Sequence, residues 1–210
     1  MMVTGTIYGV VLNDREELQR LGSFFHEDPY KAPPKAPVVY IKPRLCVTVG
    51  GAPVPLPEGE GELVVAATLA LLIARNAQAV APADAWGCVG ATSLALDVSL
   101  PAASYYRPAI AQRCRDGFLP LGRASAPVLP HEIMTFVDGQ EVHRWSLSRL
   151  ARSAEQLIAD LSAFMTLRAG DLLLIGLAGD APHVRAGQRI RVEAEGLAPI
   201  ETRVEAEAAL

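Results

Sequence analysis

The chain has 210 residues, half of them hydrophobic, which is enough to bury one substantial core, and we predict a single domain over residues 1–210. Its formal charge is -4, and its 19 Lys and Arg residues form no basic stripe, which argues against nucleic acid as a partner. The longest apolar stretch, Leu63 to Ala74, is too short to cross a membrane, and no secretory signal is apparent. Three widely spaced cysteines, Cys46, Cys88 and Cys114, indicate reduced thiols and a cytoplasmic protein.

The first half of the chain is predicted to hold strands separated by proline-rich and glycine-rich loops. Asn13 can cap a short helix while Glu16 reaches back to it in a capping box. Pro82 is well placed to begin a helix that would run to near Asp97. The other predicted elements are a strand over Thr6–Leu12, an extended loop over Pro29–Pro37, strands over Val38–Ile41 and Cys46–Val49, and a long buried strand over Leu63–Ala74.

The second half is predicted to contain a hairpin, one amphipathic helix and three further strands. Asp138-Gly139 is a strong signal for a two-residue hairpin turn. The helix after Ser146 would place Leu150, Ala154, Leu157, Leu161 and Phe164 on one face, and the strands would span Leu172–Leu177, Arg189–Glu195 and Ile200–Val204. Because strands outnumber helices without regular alternation, the predicted fold class is α+β with mixed, mostly antiparallel sheets.

A polar segment from Asp97 to Gly122 is the most promising place for chemistry. It contains three arginines, whose planar guanidinium groups bind carboxylates through paired hydrogen bonds. Arg107, Arg113 and Arg115 would therefore suit an organic acid with two or three carboxylates. The alternative is that these arginines form surface ion pairs with the acidic residues of the same segment.

Several strings along the chain are specific enough to indicate a family. They are Tyr30-Lys31-Ala32-Pro33-Pro34, Ile41-Lys42-Pro43-Arg44, Asp97-Val98-Ser99-Leu100-Pro101, Tyr106-Arg107-Pro108 and Arg115-Asp116-Gly117-Phe118. With them, the chain from Gly5 to Val204 resembles the fumarylacetoacetate hydrolase family, and within it the enzymes of 4-hydroxyphenylacetate (homoprotocatechuate) degradation. The resemblance implies a β-sandwich or roll with a few peripheral helices. It also implies decarboxylation of 5-oxopent-3-ene-1,2,5-tricarboxylate and isomerisation of 2-hydroxyhepta-2,4-diene-1,7-dioate.

The resemblance also assigns roles to individual residues. Loss of carbon dioxide needs an electron sink, which a divalent cation on the substrate's oxo group provides, and the isomerisation needs a positioned acid or base. Mg²⁺ or Mn²⁺ suits a site made of oxygen ligands. The implied roles are Asp116 and Arg113 as catalytic residues, Arg107, Arg115, Tyr106 and Lys42 as substrate-binding residues, and Asp97 as a metal ligand.

The chain departs from the family at the metal site. Complete members carry Glu-x-Glu on a strand before the Asp that Asp97 matches, and the family spacing puts Ala66 and Thr68 at those two positions. Neither supplies a carboxylate. Glu60 and Glu62 would be ligands only in an alternative register. We therefore expect the cation to be bound by a homologous sister subunit.

Acid/base candidates are also reduced in this sequence. The family's short lid carries a His and a Glu, whereas here the first helix has no histidine, and Glu16 and Glu17 are predicted to be cap and surface residues. His26 with Glu27 is the one neighbouring pair that could transfer a proton.

Three functions remain open from the sequence. In the first, the chain is one subunit of a decarboxylase/isomerase and works beside a sister subunit or in a homo-oligomer. In the second, it acts alone on a related oxo-dicarboxylate, with Asp97, Glu60 and Glu62 binding the cation. In the third, it is a catalytically silent structural subunit.

Overall fold

The structure is a computed structural model that describes residues 3–49, 51–102, 105 and 109–207. The strands are β1 (Ile7–Val11), β2 (Val38–Lys42), β3 (Val47–Thr48), β4 (Val54–Leu56), β5 (Leu63–Ile73), β6 (Val89–Ser99), β7 (Leu119–Pro120), β8 (Glu132–Val137), β9 (Gln140–Ser146), β10 (Leu172–Leu174), β11 (His183–Val184), β12 (Arg189–Glu193) and β13 (Ile200–Ala206). The α-helices are α1 (Arg15–Arg20), α2 (Pro82–Ala85), α3 (Ile110–Arg113) and α4 (Ala154–Ser162), and 3₁₀ turns cover Phe24–His26, Arg44–Cys46, Trp86–Cys88 and Leu147–Arg149. Within these ranges, no helix has both the length and the apolar character that a membrane span requires.

The larger sheet is organised around the long strand β5. Strand β6 pairs with one edge of β5, while β10 and β11 pair with different stretches of the other edge, and the sheet continues from β10 through β1 to β2. Strands β1 and β10 run parallel, and the other pairs in this sheet are antiparallel. This arrangement brings β2 and β6 to positions from which their side chains meet.

The second sheet has the order β4-β13-β12-β8-β9, and β3 and β7 form a separate parallel pair. Its pairs are antiparallel apart from β4 with β13. Apolar residues of both sheets, among them Leu69 of β5, Ile133 of β8 and Val192 of β12, pack with α4 into one buried cluster. The predicted α+β class with mixed, mostly antiparallel sheets is confirmed.

The hairpin and the long buried strand were predicted correctly. Asp138 and Gly139 have φ values of 50° and 84°, as a two-residue turn with both central residues at positive φ requires. Strand β5 is buried on both faces along most of its length. It therefore reads as a nearly continuous apolar run in the sequence.

Two helix predictions need correction. The helix that begins at Pro82 ends at Ala85, and Val89–Ser99 is a strand because it pairs along its length with β5. Non-local pairing outweighs the helical pattern here. The helix after Ser146 begins later than expected, with Ser153 capping it, and Phe164 lies beyond its end with 71% of its surface exposed.

Helix α1 is capped by Asp14 rather than by the predicted Asn13. The Asp14 carboxylate accepts hydrogen bonds from the main-chain nitrogen of Glu16 at 2.9 Å and of the next residue at 3.3 Å. The Asn13 side chain instead bonds to the main chain of Arg152 and to the Ile175 carbonyl. Asn13 therefore ties the start of α1 to the segment before α4.

Candidate functional site

A cavity of about 950 Å³ lies beside the outer end of the larger sheet, under helix α1. Its walls are largely apolar and include Val11, Leu21, Phe25, Val38, Ala66 and Leu177. Its charged and hydroxyl-bearing lining residues include Glu17, Arg20, Tyr40, Tyr105 and Arg113. An apolar cavity with a few convergent polar groups is the usual form of a small-molecule site.

One side of the cavity is built on a buried carboxylate, which we call the Asp97 corner (Tyr40, Lys42, Asp97 and Arg113). The Asp97 side chain is fully buried on β6, where register places it opposite Ala66 of β5. Lys42 Nζ lies 2.9 Å and Arg113 Nη1 lies 3.5 Å from Asp97 Oδ1. The Tyr40 hydroxyl donates a hydrogen bond to Oδ2. Two cations and one phenol therefore surround a single carboxylate.

Local geometry of β1 and β2 explains how this corner forms. Tyr40 and Lys42 are two residues apart on β2, so their side chains leave the same face of the strand. Gly9 of β1 lies opposite Tyr40, and a Cβ at Gly9 would come within 2.0 Å of the Tyr40 ring. Only a glycine at this position lets the phenol cross β1 and reach Asp97.

Lys42 is an internal partner rather than a cavity residue. Its side chain has no exposed surface, and Nζ donates hydrogen bonds to the carbonyls of Val98 at 2.9 Å and Phe118 at 2.6 Å in addition to its ion pair with Asp97. Two of the three ammonium donors are therefore used by main-chain carbonyls, and the charge of the group is paired with Asp97. The family resemblance implied that Lys42 binds substrate. The structure does not place it to do so directly.

Arg113 is the cation of this corner that reaches the cavity. It stands at the end of α3, its side chain is 14% exposed, and its guanidinium lies 5.3 Å from the centre of the Tyr40 ring. Burial is the largest influence and opposes its charge, but Asp97, Tyr40, Tyr105 and Glu17 together outweigh it, so the pKa of Arg113 lies above its ordinary value. Arg113 thus presents a permanent positive charge to a bound molecule.

A second group of residues lining the cavity, which we call the Glu17 wall (Glu17, Arg20 and Tyr105), contains an acid that was predicted from the sequence to lie on the surface. That prediction is wrong, because the Glu17 side chain is only 2% exposed. Its Oε1 accepts a hydrogen bond from the Tyr105 hydroxyl at 2.8 Å and lies 3.2 Å from Arg20 Nη2. Burial raises the pKa of Glu17, and the bonds from Tyr105 and Arg20 lower it by less. A carboxyl with a raised pKa inside a cavity is suited to carry a proton.

Glu17 is held in place by packing around its side chain and by the anchored start of its helix, α1. A Cβ at Gly179 would come within 2.5 Å of the Glu17 carboxyl carbon, so the missing side chain there leaves room for it. At the start of α1, Asp14 also accepts from Trp145 Nε1 at 3.0 Å and pairs with Arg149 at 2.7 Å. These bonds fix α1 against the β8–β9 hairpin.

The remaining predicted site residues lie elsewhere. Arg115 lies just beyond α3 and donates from Nε to the Ala111 carbonyl of that helix at 2.7 Å, and Asp116 is exposed outside the cavity lining. His26 and Glu27 are also exposed. The predicted substrate residues Tyr106 and Arg107 lie outside the described residues.

The sequence of the chain matches a known family and a curated relative. The family model described as fumarylacetoacetate (FAA) hydrolase C-terminal matches residues 6–205. The chain belongs to this family. A 4-hydroxyphenylacetate degradation bifunctional isomerase/decarboxylase of Escherichia coli is 43% identical over 202 residues, which are 95% of this chain and 47% of that protein. The chain therefore spans about half the length of this curated relative.

Two further family members broaden the comparison. A mitochondrial oxaloacetate tautomerase of Oryza sativa subsp. japonica is 31% identical over 189 residues, covering 82% of each chain. The solved fumarylpyruvate hydrolase of Pseudomonas aeruginosa, in complex with Mn²⁺ and pyruvate, superposes with a TM-score of 0.82 at 22% identity, covering 97% of this chain and 90% of that one. At that identity the structural likeness shows the fold.

The residues around Asp97 do not fit a divalent cation of the kind the family implies. Ala66 stands opposite Asp97 without a carboxylate, and the Thr68 hydroxyl already donates to the Gly176 carbonyl at 2.6 Å. Asp97 Oδ1 makes no aligned hydrogen bond, but Lys42 and Arg113 lie close to it, where a cation would have to bind. In the described parts of the chain, no three His, Cys, Asp or Glu side chains converge as metal ligands.

Glu60 and Glu62 do not complete such a site. Glu60 is exposed in the loop before β5. Glu62 bonds to His183 Nδ1 at 2.7 Å at the rim of the cavity. It lies four residues before Ala66, which is about 13 Å along an extended chain. The structure therefore leaves both glutamates away from Asp97.

Proposed function

We propose that this chain is one half of a two-part decarboxylase/isomerase of 4-hydroxyphenylacetate catabolism. In this proposal it works as a single domain in the cytoplasm, beside a homologous sister half, on 5-oxopent-3-ene-1,2,5-tricarboxylate and 2-hydroxyhepta-2,4-diene-1,7-dioate. The observation that carries the proposal is 43% identity to one half of a bifunctional isomerase/decarboxylase. It is supported by a cavity that is lined by both a cation, Arg113, and an acid suited to carry a proton, Glu17. Three free cysteines fit a reducing compartment.

The two sides of the cavity divide the work of substrate binding and proton transfer. Arg113 binds a terminal carboxylate, and the apolar walls cover the unsaturated carbon chain. Ionised Glu17 takes the proton of the dienol hydroxyl, carries it in its neutral form and returns it to a carbon of the chain, and Tyr105 and Arg20 stabilise the ionised form before and after this transfer. Isomerisation of this kind needs one positioned acid/base group and an anchored substrate.

The metal-dependent part of the reaction belongs to the sister half in this proposal. Mg²⁺ or Mn²⁺ there would accept the electron density left by loss of carbon dioxide. The Mn²⁺ complex of the solved fumarylpyruvate hydrolase supports a divalent cation within this fold family.

A second candidate function is favoured by the oxaloacetate tautomerase. Its 82% coverage of both chains supports a stand-alone enzyme acting on an oxo-dicarboxylate. Such an activity would again need an anchored carboxylate and one proton carrier. It would not need the sister half.

Activity of the mixed halves tests the main proposal. We expect the purified chain, with the sister half and Mg²⁺, to isomerise 2-hydroxyhepta-2,4-diene-1,7-dioate and support decarboxylation. Both reactions are measured by the loss of substrate absorbance. Glu17→Gln should lower kcat by about 10²–10⁴-fold because it removes the proton carrier. Glu58→Gln, which removes an exposed carboxylate in the loop before β5, is the matched control and should have no effect.

Different results reject different parts of the proposal. Full turnover by the sister half alone would exclude the two-part enzyme. Turnover by this chain alone would favour the stand-alone enzyme. Unchanged turnover of the complex with Glu17→Gln and with Arg113→Met would indicate a structural subunit without chemistry of its own.

A further inference from the structure

The Asp97 corner already contains the positive charge that a metal ion would bring. A hard divalent cation needs several oxygen ligands, and in the described residues Asp97 is the carboxylate available at this position. Lys42 Nζ lies 2.9 Å from its Oδ1, and the same ammonium is fixed by two main-chain carbonyls. The ammonium therefore cannot move aside without losing all three partners.

Charge arithmetic disfavours adding a cation to this corner. Lys42 and Arg113 carry one positive charge each against the single negative charge of Asp97, which leaves a net charge of about +1. Like charges this close repel strongly inside a protein, and the double charge of a divalent ion makes its repulsion by each of the two cations twice that of a singly charged ion at the same distance. One carboxylate does not compensate for repulsion by two fixed cations.

The same charge balance favours an organic anion in the cavity. Lys42 is fully buried, so the surplus positive charge is exposed to the cavity through Arg113. The neighbouring lining residues Val38, Ile41 and Ala66 are apolar. A carboxylate attached to a carbon chain meets both requirements.

We propose that this chain binds its carboxylate ligand through Arg113 without any divalent cation, with Lys42 as the built-in counter-ion of Asp97. The inference rests on the proposed function, in which the cavity takes a polycarboxylate, and adds how the ligand is anchored. It assigns Arg113 to substrate binding. It assigns Lys42 to positioning, because Lys42 acts on the ligand only through Asp97 and Arg113.

Isothermal titration calorimetry with 2-oxoglutarate as the probe tests the inference on the unmodified chain. The titration is run once with excess EDTA and once with MnCl₂. We expect the two dissociation constants to agree within about twofold. Arg113→Met should weaken binding by about tenfold or more, because it removes a charge-assisted hydrogen-bond pair. Arg75→Met removes an exposed arginine beyond the end of β5 and should leave binding unchanged.

The outcomes separate this inference from the proposed function. Binding that appears only with MnCl₂ would overturn the metal-free anchor and leave the polycarboxylate cavity in place. Absence of binding in both titrations would overturn the carboxylate cavity and the inference with it. The comparison of EDTA with MnCl₂ uses no variant, so it decides the question even if Arg113→Met does not fold.

Discussion

The two sides of the cavity show two ways of keeping an acid away from water. At the Asp97 corner, the partners of the carboxylate include two residues of strand β2 in the same sheet, and neither Asp97 nor Lys42 has exposed side-chain surface. At the Glu17 wall, the partners are Tyr105 from a loop and Arg20, whose side chain is 61% exposed. A charge compensated from within a sheet is part of the framework. A charge compensated by a loop and a solvent-facing side chain remains available for chemistry.

Removing Lys42 should have the largest effect on this comparison. Lys42→Met leaves Asp97 buried without its main counter-ion, and breaking a buried ion pair on one side costs about 3–5 kcal/mol. We expect a loss of that size in the free energy of unfolding, measured by denaturant titration. Arg20→Met, which removes the cation of the Glu17 wall, should cost less than about 1 kcal/mol because the Arg20 side chain is 61% exposed and Glu17 keeps its hydrogen bond from Tyr105.

The double variant Lys42→Met/Asp97→Asn controls for the loss of packing. It removes both charges, so most of the stability lost in Lys42→Met should return. If Lys42→Met alone unfolds at the same denaturant concentration as the unmodified chain, the Asp97 corner is not the rigid framework described above.

The raised pKa of Glu17 should be visible in the pH dependence of the free energy of unfolding. Burial raises the pKa of Glu17, so the folded chain holds this proton to a higher pH than the unfolded chain does. Its contribution is full below the unfolded pKa, about 4.3, and is lost as the pH rises through the higher folded pKa. We expect Glu17→Gln, which cannot ionise, to flatten the fall in unfolding free energy over this window.

An exposed glutamate provides the control for that measurement. Glu58→Gln should leave the pH profile as it is in the unmodified chain. A Glu17→Gln profile that follows the unmodified chain throughout would show that the pKa of Glu17 is not raised in the folded chain. We expect the change in unfolding free energy from Glu17→Gln to be smaller than that from Lys42→Met.

Much of the fold could be predicted because short-range sequence patterns determine it. The apolar run of β5 and the Asp138-Gly139 turn each determine their structure locally. The segment Val89–Ser99 could not be predicted, since its strand conformation depends on pairing with β5, which no local pattern encodes. Asp14 replaced Asn13 as the cap because Asn13 is engaged by residues far along the chain.

The candidate site was predicted less well, for the same reason. The sequence predicted separate roles for Asp97, as a metal ligand, and for Arg113, as a catalytic residue, and the structure brings the two side chains together as an ion pair. Glu17 was missed because its burial depends on Tyr105, which lies 88 positions away, and on the absence of a side chain at Gly179. The one local signal was its place in the first turn of α1, which is also typical of a surface glutamate.

The claim that Lys42 takes the place of a metal ion is tested most directly by crystals of the chain soaked in MnCl₂, with anomalous diffraction data collected for manganese. We expect no anomalous peak at Asp97 and electron density that places Lys42 Nζ about 2.9 Å from the Asp97 carboxylate. An anomalous peak within about 2.5 Å of an Asp97 carboxylate oxygen, with Lys42 displaced, would contradict the claim.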